Sequence, residues 1–196
     1  MRRLRAAGAV ALVAALALTG CTEDTLANQY RDGDNKGYIS GDGTVTEVAS
    51  ADRDDPIVFS GTDEDGATVD SADLAGRVVV VNFWYASCAP CRAEAADLQS
   101  VNAEFEGQDV SFVGVNVRDQ APQAAAFAAN YGITYPSIVD VDGSTQLAFT
   151  GKVPPNAVPT TLVLDKEGRV ASRILGQLQE ASILSTLVSD TLAEGE

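Results

Sequence analysis

The chain has 196 residues, 45% of them hydrophobic, which is enough for a real core and suggests one domain plus extra pieces, or two very small domains. A formal charge of −15 argues against nucleic acid as a partner, since binding it needs a basic surface, and favours solubility. Histidine is absent, which removes the commonest general base and metal ligand and the usual hydrolase triads. The three cysteines, Cys21, Cys88 and Cys91, make a poor zinc site, so no metal is expected.

Arg2, Arg3 and Arg5 precede an apolar run from Ala6 to Leu18. The run is short for a membrane span and of the right length for the core of a signal peptide. Leu18-Thr19-Gly20-Cys21 closes it and resembles a bacterial lipobox, in which the cysteine takes lipid and becomes the first mature residue. That resemblance implies loss of residues 1–20 and a lipid anchor on Cys21, holding the protein to the extracytoplasmic face of the cell membrane. An ordinary signal peptide or an uncleaved anchor is the alternative. Outside the cytoplasm disulfides form and persist. With Cys21 consumed, Cys88 and Cys91 are left as a pair. The loop they close is too small to be much of a staple, so the pair suits a reversible switch. Residues 21–43, acidic and punctuated by Gly33, Gly37, Gly41 and Gly43, read as a flexible linker. The folded domain is expected over residues 44–193.

Within that domain Thr44–Val48 and Ile57–Phe59 are short strand candidates. Asp63-Glu64-Asp65-Gly66 is a turn and Thr68-Val69 begins the return, which predicts an N-terminal β-hairpin extension. Val78–Trp84 is apolar apart from Asn82, as in a central strand buried on both faces. After Cys91, Ala95, Leu98, Val101 and Phe105 fall at helical spacing, and Ser111–Val117 is a second buried strand. Pro122 opens a helix with the apolar face Ala124, Phe127, Ala128 and Tyr131. Thr160–Leu164 and Arg169–Leu175 flank the turn Asp165-Lys166-Glu167-Gly168 as a hairpin, and Ala181, Leu184, Leu187, Val188 and Leu192 line a last helix. The order β-α-β-α-β-β-α gives an α/β chain, a central mixed sheet flanked by helices, and is that of a thioredoxin-like fold.

The central strand runs into Ser87-Cys88-Ala89-Pro90-Cys91-Arg92. Cys88 is placed at a helix N-terminus, where unpaired N–H groups and the macrodipole favour a thiolate. The thiolate is the reactive form, so Cys88 is expected to be an exposed nucleophile. Cys91, one turn on, is in reach to resolve a mixed disulfide, and Pro90 fits the first helical turn. Arg92 stands where c-type haem attachment needs histidine, and no second ligand pair offers a zinc half-site. A static surface disulfide is the remaining alternative. The redox centre is then the Cys88–Cys91 pair itself, with no cofactor.

The stretch Val79–Glu94, VVVNFWYASCAPCRAE, with Val158-Pro159-Thr160 ahead of a later strand, resembles the TlpA/ResA branch of the thioredoxin superfamily over residues 55–192. These are membrane-anchored thiol–disulfide oxidoreductases that face the outside. The resemblance implies a cis bond before Pro159, packed beside the disulfide, and a backbone at Val158 that pairs with an extended substrate. Trp84, Ala89 and Pro90 support the active-site loop. Glu94, three residues past Cys91, is implied to tune the thiols and shuttle a proton, a solvated helix residue being the alternative. Asn82 occupies the place of thioredoxin's buried aspartate, which leaves that role to Glu94. Ser87 and Ala96 depart from the family habit of an aromatic and a proline. The implied activity is reduction of protein disulfides, such as the haem-attachment cysteines of apocytochrome c. The electrons would come from a CcdA-type membrane protein, and the chain would act as a monomer. The lack of histidine within the cysteine motif agrees with a reductant. The alternatives are an oxidase or isomerase of exported proteins, and a lipoprotein binding module with a structural cysteine clip.

Overall fold

The structure, a computed structural model, describes residues 42–154 and 157–194. The expected signal segment, Cys21 and nearly all of the expected linker lie outside them.

The chain runs β1 (Asp42–Glu47), β2 (Ser60–Thr62), β3 (Thr68–Asp70), β4 (Val78–Trp84), α1 (Ala89–Glu104), β5 (Val110–Asn116), α2 (Ala121–Tyr131), β6 (Ser137–Val139), α3 (Ser144–Ala148), β7 (Thr160–Leu164), β8 (Val170–Gly176) and α4 (Ala181–Ala193). Six of the strands form one mixed sheet in the order β1-β8-β7-β4-β5-β6. β4, β5 and β6 are parallel; β7 is antiparallel to β4, β8 to β7 and β1 to β8. Every residue of β4 is buried, as its unbroken apolar run demands of a strand covered on both faces.

Alternation along β4 sorts its side chains into two layers. Val78 and Val80 pack with Leu98 and Val101 of α1 and Leu184 and Val188 of α4. Val79, Val81 and Phe83 pack on the opposite face with Ile57, Phe59 and Phe149. The parallel pairs β4–α1–β5 and β5–α2–β6 are helical crossovers, so the C-terminal ends of β4, β5 and β6 share one rim of the sheet. That rim carries the cysteines.

The expected hairpin forms from β2 and β3, paired Ser60 to Asp70 through Thr62 to Thr68. Its turn residue Glu64 accepts a hydrogen bond from Ser137 N at 2.7 Å, which covers the outer edge of β6. Ile57–Phe59 is not a strand. Its alternation is real, with Ile57 and Phe59 buried and Val58 79% exposed, but no neighbouring strand offers it a ladder. Ile57 N bonds instead to Gly168 O and Phe59 N to the Ser71 hydroxyl. β6 and α3 were not foreseen; runs of three and five residues are too short to display a period.

Candidate active site

β4 ends at Trp84, and the turn Tyr85–Cys88 closes with a bond from Cys88 N to Tyr85 O at 3.1 Å. Cys88 is the N-cap of α1, Pro90 lies in its first turn, and the Cys88 sulfur accepts a hydrogen bond from Cys91 N at 3.2 Å. The two cysteines are joined in a disulfide with Cα atoms 5.3 Å apart. In the reduced state the same N–H and the helix end favour a thiolate at Cys88.

Cys88 is not exposed: it is 0% accessible and Cys91 3%, while the neighbouring Ser87 and Ala89 are open to solvent. The tip of the helix is covered because Tyr85 and Val158 pack into the same apolar cluster as the disulfide. The Val158–Pro159 peptide bond is cis. Pro159 O accepts from Gly176 N at 2.9 Å, and the Thr160 hydroxyl donates to Ala157 O at 2.7 Å, so the segment leading into β7 is tied at both ends.

Glu94, on the α1 face one turn beyond Cys91, is wholly buried rather than solvated. Its Oε1 accepts from Asn82 Nδ2 at 2.9 Å and its Oε2 from Leu178 N at 2.7 Å. Asn82 Nδ2 also donates to the Thr161 hydroxyl at 3.1 Å. Burial pushes the Glu94 carboxyl up to about 8, against the opposing pull of its two donors, and the nearby Asp97 charge adds to the rise. A buried acid tuned to that range gives or takes a proton near neutrality. Buried Tyr135 is raised too, by desolvation and by the Glu94 charge.

Trp84 lies in the apolar cluster under the disulfide, its ring centroid 4.2 Å from that of Phe127, and its Nε1 donates to the Ser137 hydroxyl at 3.2 Å. Gly114 on β5 makes room for this contact. A Cβ there would lie 2.8 Å from Trp84 Nε1 and overlap the Ser137 hydroxyl.

Four residues of the rim escaped the reading of the sequence: Tyr85, Asn116, Arg118 and Asp119. Asp119 Oδ2 accepts from Ala86 N at 2.6 Å and from Asn116 Nδ2 at 3.0 Å. The Arg118 guanidinium lies 4.2 Å above the Tyr85 ring. One signal was available for the last three: Asn116, Arg118 and Asp119 sit at and just after the C-terminal end of a parallel strand beside the motif strand, where open α/β sheets gather their functional loops. Among the described residues, no group of three or more His, Cys, Asp or Glu side chains comes together to hold a metal. No helix among them is long and apolar enough to cross a membrane.

Several known proteins resemble this chain. Thiol-disulfide oxidoreductase ResA of Bacillus subtilis is 31% identical over 121 residues, which span 62% of this chain and 65% of that protein. A solved DsbF homologue from Corynebacterium diphtheriae is 37% identical, with a TM-score of 0.67, covering 76% of this chain and 94% of that one. A secreted thiol-disulfide isomerase from Corynebacterium glutamicum is 30% identical, with a TM-score of 0.69, covering 80% and 96%. These neighbours carry the thioredoxin-like fold traced above. Residues 54–173, more than half of the chain, match the AhpC/TSA family, and the chain belongs to that family.

Proposed function

We propose that this protein is an extracytoplasmic thiol–disulfide oxidoreductase that reduces disulfides in other proteins through Cys88 and Cys91. The observation that carries the reading is the Cys88 sulfur at the N-cap of α1, accepting from Cys91 N and joined to Cys91 in a disulfide. In the reduced enzyme the Cys88 thiolate attacks one sulfur of a substrate disulfide. The other substrate sulfur leaves as a thiolate and takes a proton. Cys91 then gives its proton to the Glu94 carboxylate and attacks the Cys88 sulfur, releasing the second substrate thiol. The substrate gains two electrons, and the Cys88–Cys91 disulfide awaits a reductant. Ala89 and Pro90 separate the two cysteines, Trp84 and Val158 share the apolar cluster of the disulfide, and the backbone at Val158, ahead of cis Pro159, is offered to an extended substrate. No cofactor beyond the disulfide enters.

The resemblance to TlpA/ResA proteins supports haem-attachment cysteines of apocytochrome c as substrates and a CcdA-type membrane protein as the electron donor. Leu18 to Cys21 supports a lipid anchor on the outer face of the membrane. Cys21→Ala should then move the protein from the membrane fraction to the soluble one, and an unchanged distribution on fractionation would remove the anchor from the account.

Trapping tests the central claim. Cys91→Ser should accumulate mixed disulfides with substrate protein, seen on non-reducing gels, and Cys88→Ser should not. Trapping by the Cys88→Ser variant alone would reverse the roles, and trapping by neither would leave a static clip. A second reading, isomerase or oxidase, is favoured by the name of the Corynebacterium glutamicum neighbour. Equilibration with glutathione separates them. A reductant should lie near thioredoxin's value of about −270 mV, and a potential above about −180 mV would make the isomerase or oxidase reading the correct one.

A further inference from the structure

We propose that Asp119 is a positioning residue for Cys88: its carboxylate fixes the turn Tyr85–Cys88 and so holds the attacking sulfur at the tip of α1. The proposal rests on the reading of Cys88 as nucleophile. A turn closed by a single backbone bond, Cys88 N to Tyr85 O, leaves the N–H of its second residue without a partner inside the turn. That group is Ala86 N, and it donates to Asp119 Oδ2 at 2.6 Å. Such a bond to a charged acceptor is among the stronger kinds.

Asp119 is itself held firmly. Asn116, wholly buried at the end of β5, donates from Nδ2 to Asp119 Oδ2 at 3.0 Å. Its Oδ1 accepts from Asp119 N at 2.7 Å and from Arg118 N at 3.1 Å. Its backbone carbonyl accepts from Asp140 N at 2.8 Å, which ties it to the end of β6. The loop after β5 therefore grips the active-site turn at three points in succession: Val117 N bonds to Trp84 O at 3.0 Å, the Arg118 guanidinium covers the Tyr85 ring, and Asp119 takes Ala86 N. The next residues, Ser87 and Cys88, carry the end of the turn. Without the Ala86 tether the turn keeps its grips only ahead of Ala86, at Trp84 and Tyr85, and the Cys88 sulfur drifts from the position in which it accepts from Cys91 N.

The geometry and the charge of Asp119 act in opposite directions. Holding Cys88 at the helix end favours its thiolate, whereas a nearby negative charge disfavours it. The two are separable by substitution. Asparagine keeps an oxygen for Ala86 N and removes the charge; alanine removes both. The full chain in the Cys91→Ala background is treated with iodoacetamide at pH 7, and alkylation is followed on the Cys88 peptide by mass spectrometry. Asp119→Ala should slow alkylation about 10-fold, the size of one lost hydrogen bond, while Asp119→Asn should match or exceed the parent. Asp119→Ser, too short to reach Ala86 N but polar at this half-buried position, should slow it as alanine does and serves where the alanine variant folds poorly. Alanine and serine variants as fast as the parent would overturn the proposal, as would an asparagine variant as slow as alanine. A parent Cys88 whose alkylation rises with pH over the same range as in the urea-unfolded chain would overturn the nucleophile reading, and this proposal with it.

Discussion

Glu94 is the residue at which stability and reactivity meet. Its carboxyl is lifted to about 8 in the fold, while in the unfolded chain it titrates near an ordinary glutamate. The raised value means that the fold favours the protonated form. The associated stability is fully present below the unfolded pKa and is lost as pH rises towards about 8, at about 1.4 kcal/mol per pH unit from this group alone. Urea unfolding of the oxidised protein between pH 5 and pH 8 should show that decline, and Glu94→Gln should remove it; an unchanged slope would mean the carboxyl is not perturbed. In the proposed turnover the base is the deprotonated form, so release of reduced substrate should quicken with pH through about 8 in the parent. Glu94→Gln should be flat there and about 100-fold slower, the lower end of general-base effects. The cysteines, Pro159 and the spacing of Glu94 were legible in the sequence because each announces itself within a few residues. What holds Glu94 was not. Its donors are Asn82 on β4 and Leu178 N, 84 residues further along the chain, and only the fold brings them together. Asp119 was silent for the same reason: its partner, Ala86 N, belongs to backbone 33 residues away.

Among the elements, the β2–β3 hairpin depends on one close approach. Gly61 lies so near β6 that a Cβ would overlap Ile138 Cγ2 and fall 3.1 Å from the Thr145 hydroxyl, which donates to Ser60 O at 3.0 Å. Gly61→Ala should push the hairpin off β6 and cost about 1–3 kcal/mol in urea unfolding, as overpacking does. Unchanged stability would mean that the hairpin adapts without loss. Elements that span several turns or a full strand were readable: β4, α1, β5, α2 and α4 show their period and their punctuation. Ile57–Phe59 misled because alternation reports which side chains are buried and not whether a ladder partner exists. The same limit hid the role of β1, whose pairing with β8 makes it an edge of the central sheet.

At the scale of the whole molecule, the pole opposite the disulfide is fastened by charge. The side chain of Arg53, 3% exposed, bonds to Asp165 at 2.9 Å and to Glu194 at 2.6 Å, and its Nε donates to Val48 O at 3.0 Å. Asp165 also pairs with Arg169 at 2.9 Å. The cluster joins the segment after β1, the β7–β8 turn and the end of α4. Arg53→Ala leaves Asp165 buried with one cation fewer and should lower the unfolding free energy by about 3 kcal/mol, read as an earlier urea midpoint. A midpoint that does not move would show that Arg169 alone suffices. The two ends of the described chain thus lie at different poles. Asp42 pairs with Gly176, which bonds to Pro159, so β1 enters on the rim of the cysteines, three strands or roughly 15 Å across the sheet from β4. Glu194 lies at the far pole with Arg53. A molecule coupled to a bead or an electrode at the end of α4 therefore presents its disulfide outward to a partner, whereas one coupled rigidly at the first residue of β1 turns it back towards the support.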